Sequence, residues 1–118
     1  MAGKPDDAVI FHNPRCSTSR KTLDLLRDNG FEPRVVEYLK TPPTRDELVK
    51  MIRDAGIDVR TAARKRESLY EELSLADASD DQLLDAMVEH PILIERPFVV
   101  TPKGTRLARP IDAVREIL

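Results

Sequence analysis

The segment Ala8-Val-Ile-Phe-His-Asn-Pro-Arg-Cys16-Ser-Thr-Ser-Arg20 passes from an apolar run, through a proline turn, into a hydroxyl-rich run. Val9 and Ile10 are β-branched, which favours a buried strand. Pro14 ends it. Beyond the turn, Thr22, Leu23, Leu25 and Leu26 recur at helical spacing, and Asn29-Gly30 supplies a stop signal. The segment therefore reads as strand, tight loop and helix, with Cys16 at the junction of loop and helix.

Outward from this unit, Pro33 to Tyr38 reads as a second strand, and Thr41-Pro-Pro-Thr44 as a hard break. Thr44 and Glu47 form a capping box that opens a helix ended by Gly56. The stretch from Asp58 to Leu73 reads as two short helices. Ser79 and Gln82 form a second capping box, opening a helix through Glu89 that His90-Pro91 stops. Phe98 to Thr101 is a strand, Pro102-Lys-Gly104 a turn, and Thr105 to Ala108 the hairpin partner. Arg109-Pro110 opens a last helix over Ile111 to Leu118.

The order is β-α-β, a helical block, then β-β-α. This is the α/β plan of the thioredoxin-like fold: a mixed sheet with an inserted helical region at roughly 44–90. The 118 residues fit a single domain over 1–118. Charged residues make up 34% and hydrophobic residues 41%, an ordinary globular balance. The net charge of −2 excludes a general affinity for nucleic acid or an acidic membrane, so any anion must be met locally by a few arginines. No apolar run approaches the roughly 18 residues of a membrane span. Met1 to Asp7 is polar and lacks the apolar stretch of a signal peptide, so a cytoplasmic location is expected.

The single cysteine cannot form an internal disulfide or share a zinc site with a second cysteine. It is either a small buried hydrophobe or a reactive thiol, and its position selects the second. Unsatisfied amides at a helix start stabilise a thiolate and also cradle an oxyanion. Ser17, Thr18 and Ser19 add hydroxyls, Arg15, Arg20 and Lys21 add positive charge, and His12 lies four residues upstream, in either a structural or a catalytic role. Cys16-Ser-Thr-Ser19 is not a Cys-x-x-Cys pair, so a resolving thiol must come from outside. Thr22 stands where a Cys-x5-Arg phosphate loop would have its arginine, which argues against a cysteine phosphatase.

His12-Asn-Pro-x-Cys16-x-Thr-Ser-Arg20 resembles the active-site loop of the glutaredoxin-linked arsenate reductase family. The likeness continues through Tyr38-Leu-x-Thr-Pro-Pro-Thr-Arg-Asp-Glu-Leu48, Arg64-Lys65 and Tyr70-Glu-Glu-Leu73. It resumes at His90-Pro-Ile-Leu-Ile94, Arg96-Pro97, Val99-Val-Thr-Pro102, Gly104-Thr-Arg-Leu107 and Arg109-Pro110. These ordered motifs span nearly the whole chain from Val9 onward.

The resemblance implies a thioredoxin-like fold and a reduction of arsenate to arsenite through a covalent Cys16–arsenic intermediate. It implies oxyanion binding by Arg64, Arg96 and Arg109, and a structural cis-proline at Pro97. Arg64, which lies among many charges, reads from the sequence alone as a surface salt bridge. In the implied scheme His12 keeps Cys16 ionised and Ser19 donates a hydrogen bond to it. Glutathione is the implied co-substrate and glutaredoxin the partner, in arsenic detoxification, with no metal and no bound cofactor. Two alternatives belong to other classes. One is a general glutathione-dependent thiol-disulfide oxidoreductase. The other is a non-enzymatic redox regulator that binds a partner such as RNA polymerase; that branch typically carries Cys-x-x-Cys, where this chain has Ser19.

Overall fold

The computed structural model describes residues 8–118, so the reading of Met1 to Asp7 lies outside the described residues. The described chain forms two compact units. One takes the residues up to Thr41 together with Arg96–Leu118; the other is Pro42–Glu95.

The first unit is built on strands β1 (Val9–His12), β2 (Arg34–Glu37), β3 (Phe98–Thr101) and β4 (Gly104–Leu107). Their order is β2-β1-β3-β4. β1 runs parallel to β2, with Ile10 opposite Val35, and antiparallel to β3, with Ile10 opposite Val99. β3 and β4 form the expected hairpin, Val99 opposite Arg106. A parallel pair needs a crossover, and α1 (Ser17–Asp28) provides it. The sheet is therefore mixed, as the β-α-β and β-β-α halves predict.

Helix α1 buries Ser19, Thr22 and Leu26, three positions that share one helical face. Its end is a Schellman turn. The Phe31 amide donates to Leu26 O at 3.0 Å and the Gly30 amide to Arg27 O at 3.0 Å. Gly30 has φ +86°, which a side chain would resist. Ile10, Leu26, Val99, Ala108, Val114 and Ile117 make the core of this unit, with Leu23, Leu25, Phe31 and Leu118 packed against it.

The final helix differs from its prediction. Residues Ile111–Ile117 form a 3-10 helix where an α-helix was expected, with Pro110 as its cap. Val114 and Ile117 are its buried residues, three apart. With three residues per turn, a 3-10 helix places both on one line.

The second unit contains α2 (Arg45–Asp54), α3 (Val59–Ala62), α4 (Ser68–Glu72) and α5 (Asp80–Glu89). Both predicted capping boxes are present: Thr44 with Glu47, and Ser79 with Gln82. Asp58 caps α3, accepting from the Thr61 amide at 2.7 Å. α5 packs on α2 and α3. The Arg60 guanidinium donates to Tyr70 Oη and to the carbonyls of Leu75, Ala76 and Ala78. It ties α3 to the 3-10 turn Leu75–Asp77, an element the sequence reading did not anticipate.

Candidate active site

The loop after β1 is held by its own backbone. The Cys16 amide donates to Asn13 O at 3.0 Å, closing a turn, and the Arg15 amide donates to Asn13 Oδ1 at 3.0 Å. Arg20 reaches back from α1 and donates to Pro14 O at 2.9 Å. This turn delivers Cys16 as the N-cap of α1, with extended φ of −92° and ψ of 122°. Its half-buried side chain makes no capping hydrogen bond, and no acidic residue occupies the first turn of α1.

The surroundings favour the thiolate. Burial pushes the Cys16 thiol up, but four groups together outweigh it: the Ser19 amide, the Arg109 guanidinium, the Thr18 amide and the Arg96 guanidinium. The net shift is below the ordinary thiol value. The two amides act on Sγ by their dipoles, since their geometry falls short of a capping hydrogen bond.

Arg109 Nη2 lies 3.5 Å from Cys16 Sγ. Its Nε donates to Arg96 O at 2.8 Å, which fixes the direction of the guanidinium. Two arginines that are 13 residues apart are thus coupled at the cysteine. Arg96 is buried. The peptide bonds before Pro97 and before Pro110 are both cis. The second had no counterpart in the sequence reading.

His12 and Ser19 are brought together, but not in the expected way. Both are buried, with His12 Nδ1 and Ser19 Oγ 2.6 Å apart, and Ser19 Oγ accepts from the Asn13 amide at 3.0 Å. The expected hydrogen bond from the Ser19 hydroxyl to Cys16 is not made. The hydroxyl is engaged by the β1–α1 loop, and Ser19 reaches the thiol through its amide instead. Burial lowers the His12 pKa; Glu37 opposes the shift, while Arg20 and Arg27 add to it. A ring below its ordinary value of 6.5 is neutral at neutral pH, so it brings no positive charge to the thiolate. The contact His12 does make is with the Ser19 hydroxyl, in the first turn of α1.

Arg64 lies in the other unit. Its Nη1 is 3.1 Å from Glu95 Oε1 and its Nε 3.4 Å from Glu67 Oε2, all three side chains mostly buried. Among the described residues, no group of three or more His, Cys, Asp or Glu could hold a metal. None of the described helices is long and apolar enough to cross a membrane.

The arrangement therefore favours the thiolate form of Cys16, and it sets guanidinium groups and helix-start amides, the groups that meet oxyanions, beside that sulfur.

The comparisons with known proteins agree with this chemistry. Residues 11–117 match the model of the ArsC family. The chain is 60% identical over 112 residues to an arsenate reductase of Escherichia coli strain K12, covering 93% of this chain and 79% of the relative. It is 59% identical over 112 residues to an arsenate reductase of Rhizobium meliloti, covering 93% and 80%. Among solved structures, an arsenate reductase from Vibrio cholerae superposes with a TM-score of 0.89 at 49% identity, covering 94% of this chain and 97% of that one.

Proposed function

The chain belongs to the ArsC family, and on that premise we propose that it reduces arsenate to arsenite, with Cys16 as nucleophile and outside thiols as reductant. The observation that carries this reading is the guanidinium of Arg109, 3.5 Å from Cys16 Sγ at an uncapped helix start. Disulfide exchange alone needs a low thiol pKa but no fixed cation beside the sulfur. An oxyanion that must approach a thiolate needs both.

Arsenate binds as an anion against Arg109, Arg96 and the open amides of α1. Arg64 enters the proposal on the family pattern alone. The Cys16 thiolate attacks arsenic, an S–As bond forms, and one oxygen leaves as water; arsenic is still pentavalent. Glutathione then displaces a second water, giving a second S–As bond. A glutaredoxin thiolate attacks the glutathione sulfur, that S–As bond breaks, and its electron pair remains on arsenic. Arsenic becomes trivalent, and the two thiols leave as a mixed disulfide. Water cleaves the remaining S–As bond, releasing arsenite and Cys16.

Within this scheme the single cysteine accounts for the dependence on outside thiols. His12 and Ser19 act as positioning residues, fixing the turn that presents the Ser19 amide to the thiolate. A cytoplasmic location, where reduced thiols are abundant, suits the reaction.

The test is NADPH consumption with arsenate, glutathione, glutaredoxin and glutathione reductase, comparing wild type with Cys16→Ser. Arsenate-dependent turnover that disappears in the variant is expected. A folded, reduced wild type that consumes no NADPH above the variant would refute the reading and favour disulfide exchange or regulation.

A further inference from the structure

A cleft of about 430 Å³ flanks the loop that carries Cys16. Pro14 and Arg15 line it from the loop, His12 from the end of β1, and Glu37, Leu39 and Lys40 from β2 and the turn after it. Its volume lies in the range of small-ligand sites, about 300–1,000 Å³. Arg96 and Arg109 do not line it, so it is distinct from the oxyanion side of Cys16.

The walls carry one anion between two cations. Lys40 Nζ lies 3.6 Å from Glu37 Oε1, with 79% and 41% of the side chains exposed. An exposed pair of this kind is weak and exchanges readily for a better partner. The Arg15 guanidinium is exposed and makes no hydrogen bond or ion pair among the described residues. Leu39, 42% exposed, and Pro14 supply an apolar wall.

We propose that this cleft is the docking site of the outside thiol, and that it fits a small peptide thiol of the glutathione kind. Such a molecule carries one ammonium and two carboxylates. The ammonium meets Glu37, the carboxylates meet Arg15 and Lys40, and the methylenes lie on Leu39 and Pro14. The inference rests on the reading that Cys16 is turned over by an outside thiol. The turn closed by the Cys16-to-Asn13 hydrogen bond keeps its ends within about 7 Å. Asn13 also lines the cleft, while Cys16 stands just beyond its lining. Half of a tripeptide's ~10 Å span, with the length of its cysteine side chain added, is the reach the central sulfur has toward Cys16. The arrangement gives the two co-substrates separate entries: oxyanion from the arginine side, thiol from the side of β2.

The experiment is an NMR titration of the 15N-labelled full chain with S-methylglutathione, which binds but cannot exchange, followed by kinetics. The expected result is amide shifts concentrated at residues 12–15 and 37–40. Glu37→Gln and Lys40→Gln should each weaken this binding by about five- to tenfold, the loss of one charge-assisted contact. In the coupled assay both variants should raise the KM for glutathione by a similar factor, with kcat and the KM for arsenate unchanged. Shifts that map elsewhere, or variants that bind S-methylglutathione as the wild type does, would overturn the proposal. A wild type that binds S-methylglutathione in the cleft but turns over no arsenate would remove the reductase reading and leave this site standing. Arsenate turnover without cleft binding would do the reverse.

Discussion

The long helices of the two units begin in opposite ways. In the helical unit, α2 and α5 each begin with a complete capping box and two acidic residues in the first turn, and α3 begins on Asp58. Each has its N3 amide held by a cap side chain, and the acidic side chains oppose the helix dipole. In the sheet unit, α1 begins on Cys16, with no side-chain cap and no acid in its first turn. A hydroxyl or carboxylate cap at this position would be worth about 1 kcal/mol. What the sheet unit retains instead is a set of amides available to a thiolate and to an incoming anion, with Arg109 and Arg96 close enough to act on the thiol. The short α4 also starts without a side-chain cap, so what sets α1 apart is an open start with a thiol and two arginines beside it.

Cys16→Ser is the sharpest way to break this contrast, and its two effects run in opposite directions. Turnover should vanish, because a serine hydroxyl stays protonated at neutral pH and makes a poor nucleophile. Stability should rise by up to about 1 kcal/mol, because serine is a good N-cap. The gain must be read at acidic pH. The folded thiol pKa is lowered, so ionised Cys16 adds stability above the unfolded thiol pKa, and that addition is lost as pH falls through the folded value. Below it, both residues are neutral and only the cap differs. Thermal unfolding at acidic pH that shows serine equal to or worse than cysteine would mean that α1 is not waiting for a cap.

Arg109→Ala comes next in size. A charge-assisted contact is worth about 1.5–3 kcal/mol, so sulfate or arsenate affinity should fall by roughly tenfold or more. The thiol pKa should rise, moving the pH profile of Cys16 alkylation to higher pH. An unmoved profile would leave the Ser19 and Thr18 amides as sufficient on their own.

These expectations show which parts of the molecule the sequence exposes. The capping boxes, the strand–loop–helix around Cys16 and the terminal hairpin are local signals, each written within a few adjacent residues, and all were legible. The hydrogen bond from Arg109 to Arg96 O depends on the β3–β4 hairpin bringing distant residues together; the family resemblance named both arginines as oxyanion ligands but not this bond. The pairing of His12 with Ser19 lay between these cases. Ser19, Thr22 and Leu26 form a buried stripe, and extending the apolar spacing of α1 backward by one turn would have put Ser19 inside. Serine seldom prompts that extension, because its hydroxyl reads first as a solvent-facing group or a cap. The 3-10 form of Ile111–Ile117 was hidden because Val114 and Ile117 share a face in either helix type.

Ser19→Ala tests the buried hydroxyl within the open helix start. It strands the Asn13 amide and His12 Nδ1, at a cost of about 1–3 kcal/mol. His12 gives this a pH signature. Its folded pKa is lowered, so the unfolded chain binds the proton more readily, and wild-type stability should decline as pH falls through about 6.5. His12→Asn should flatten that decline; a decline that persists unchanged would assign it to another group.

The smallest effect belongs to the closed helix starts and completes the contrast. Thr44→Ala and Ser79→Ala each remove the side chain that accepts the N3 amide, at 3.2 Å from Glu47 and from Gln82. The second half of each box, from the N3 side chain to the cap amide, survives. The loss should therefore be about 1 kcal/mol or less, a few degrees in Tm. These residues are distant in sequence from Cys16 and serve only their own helices. The alkylation profile of Cys16 and its oxyanion affinity should not move. A shift in thiol pKa with either variant would show that the two kinds of helix start are coupled, and that the closed ones help to set the chemistry of the open one.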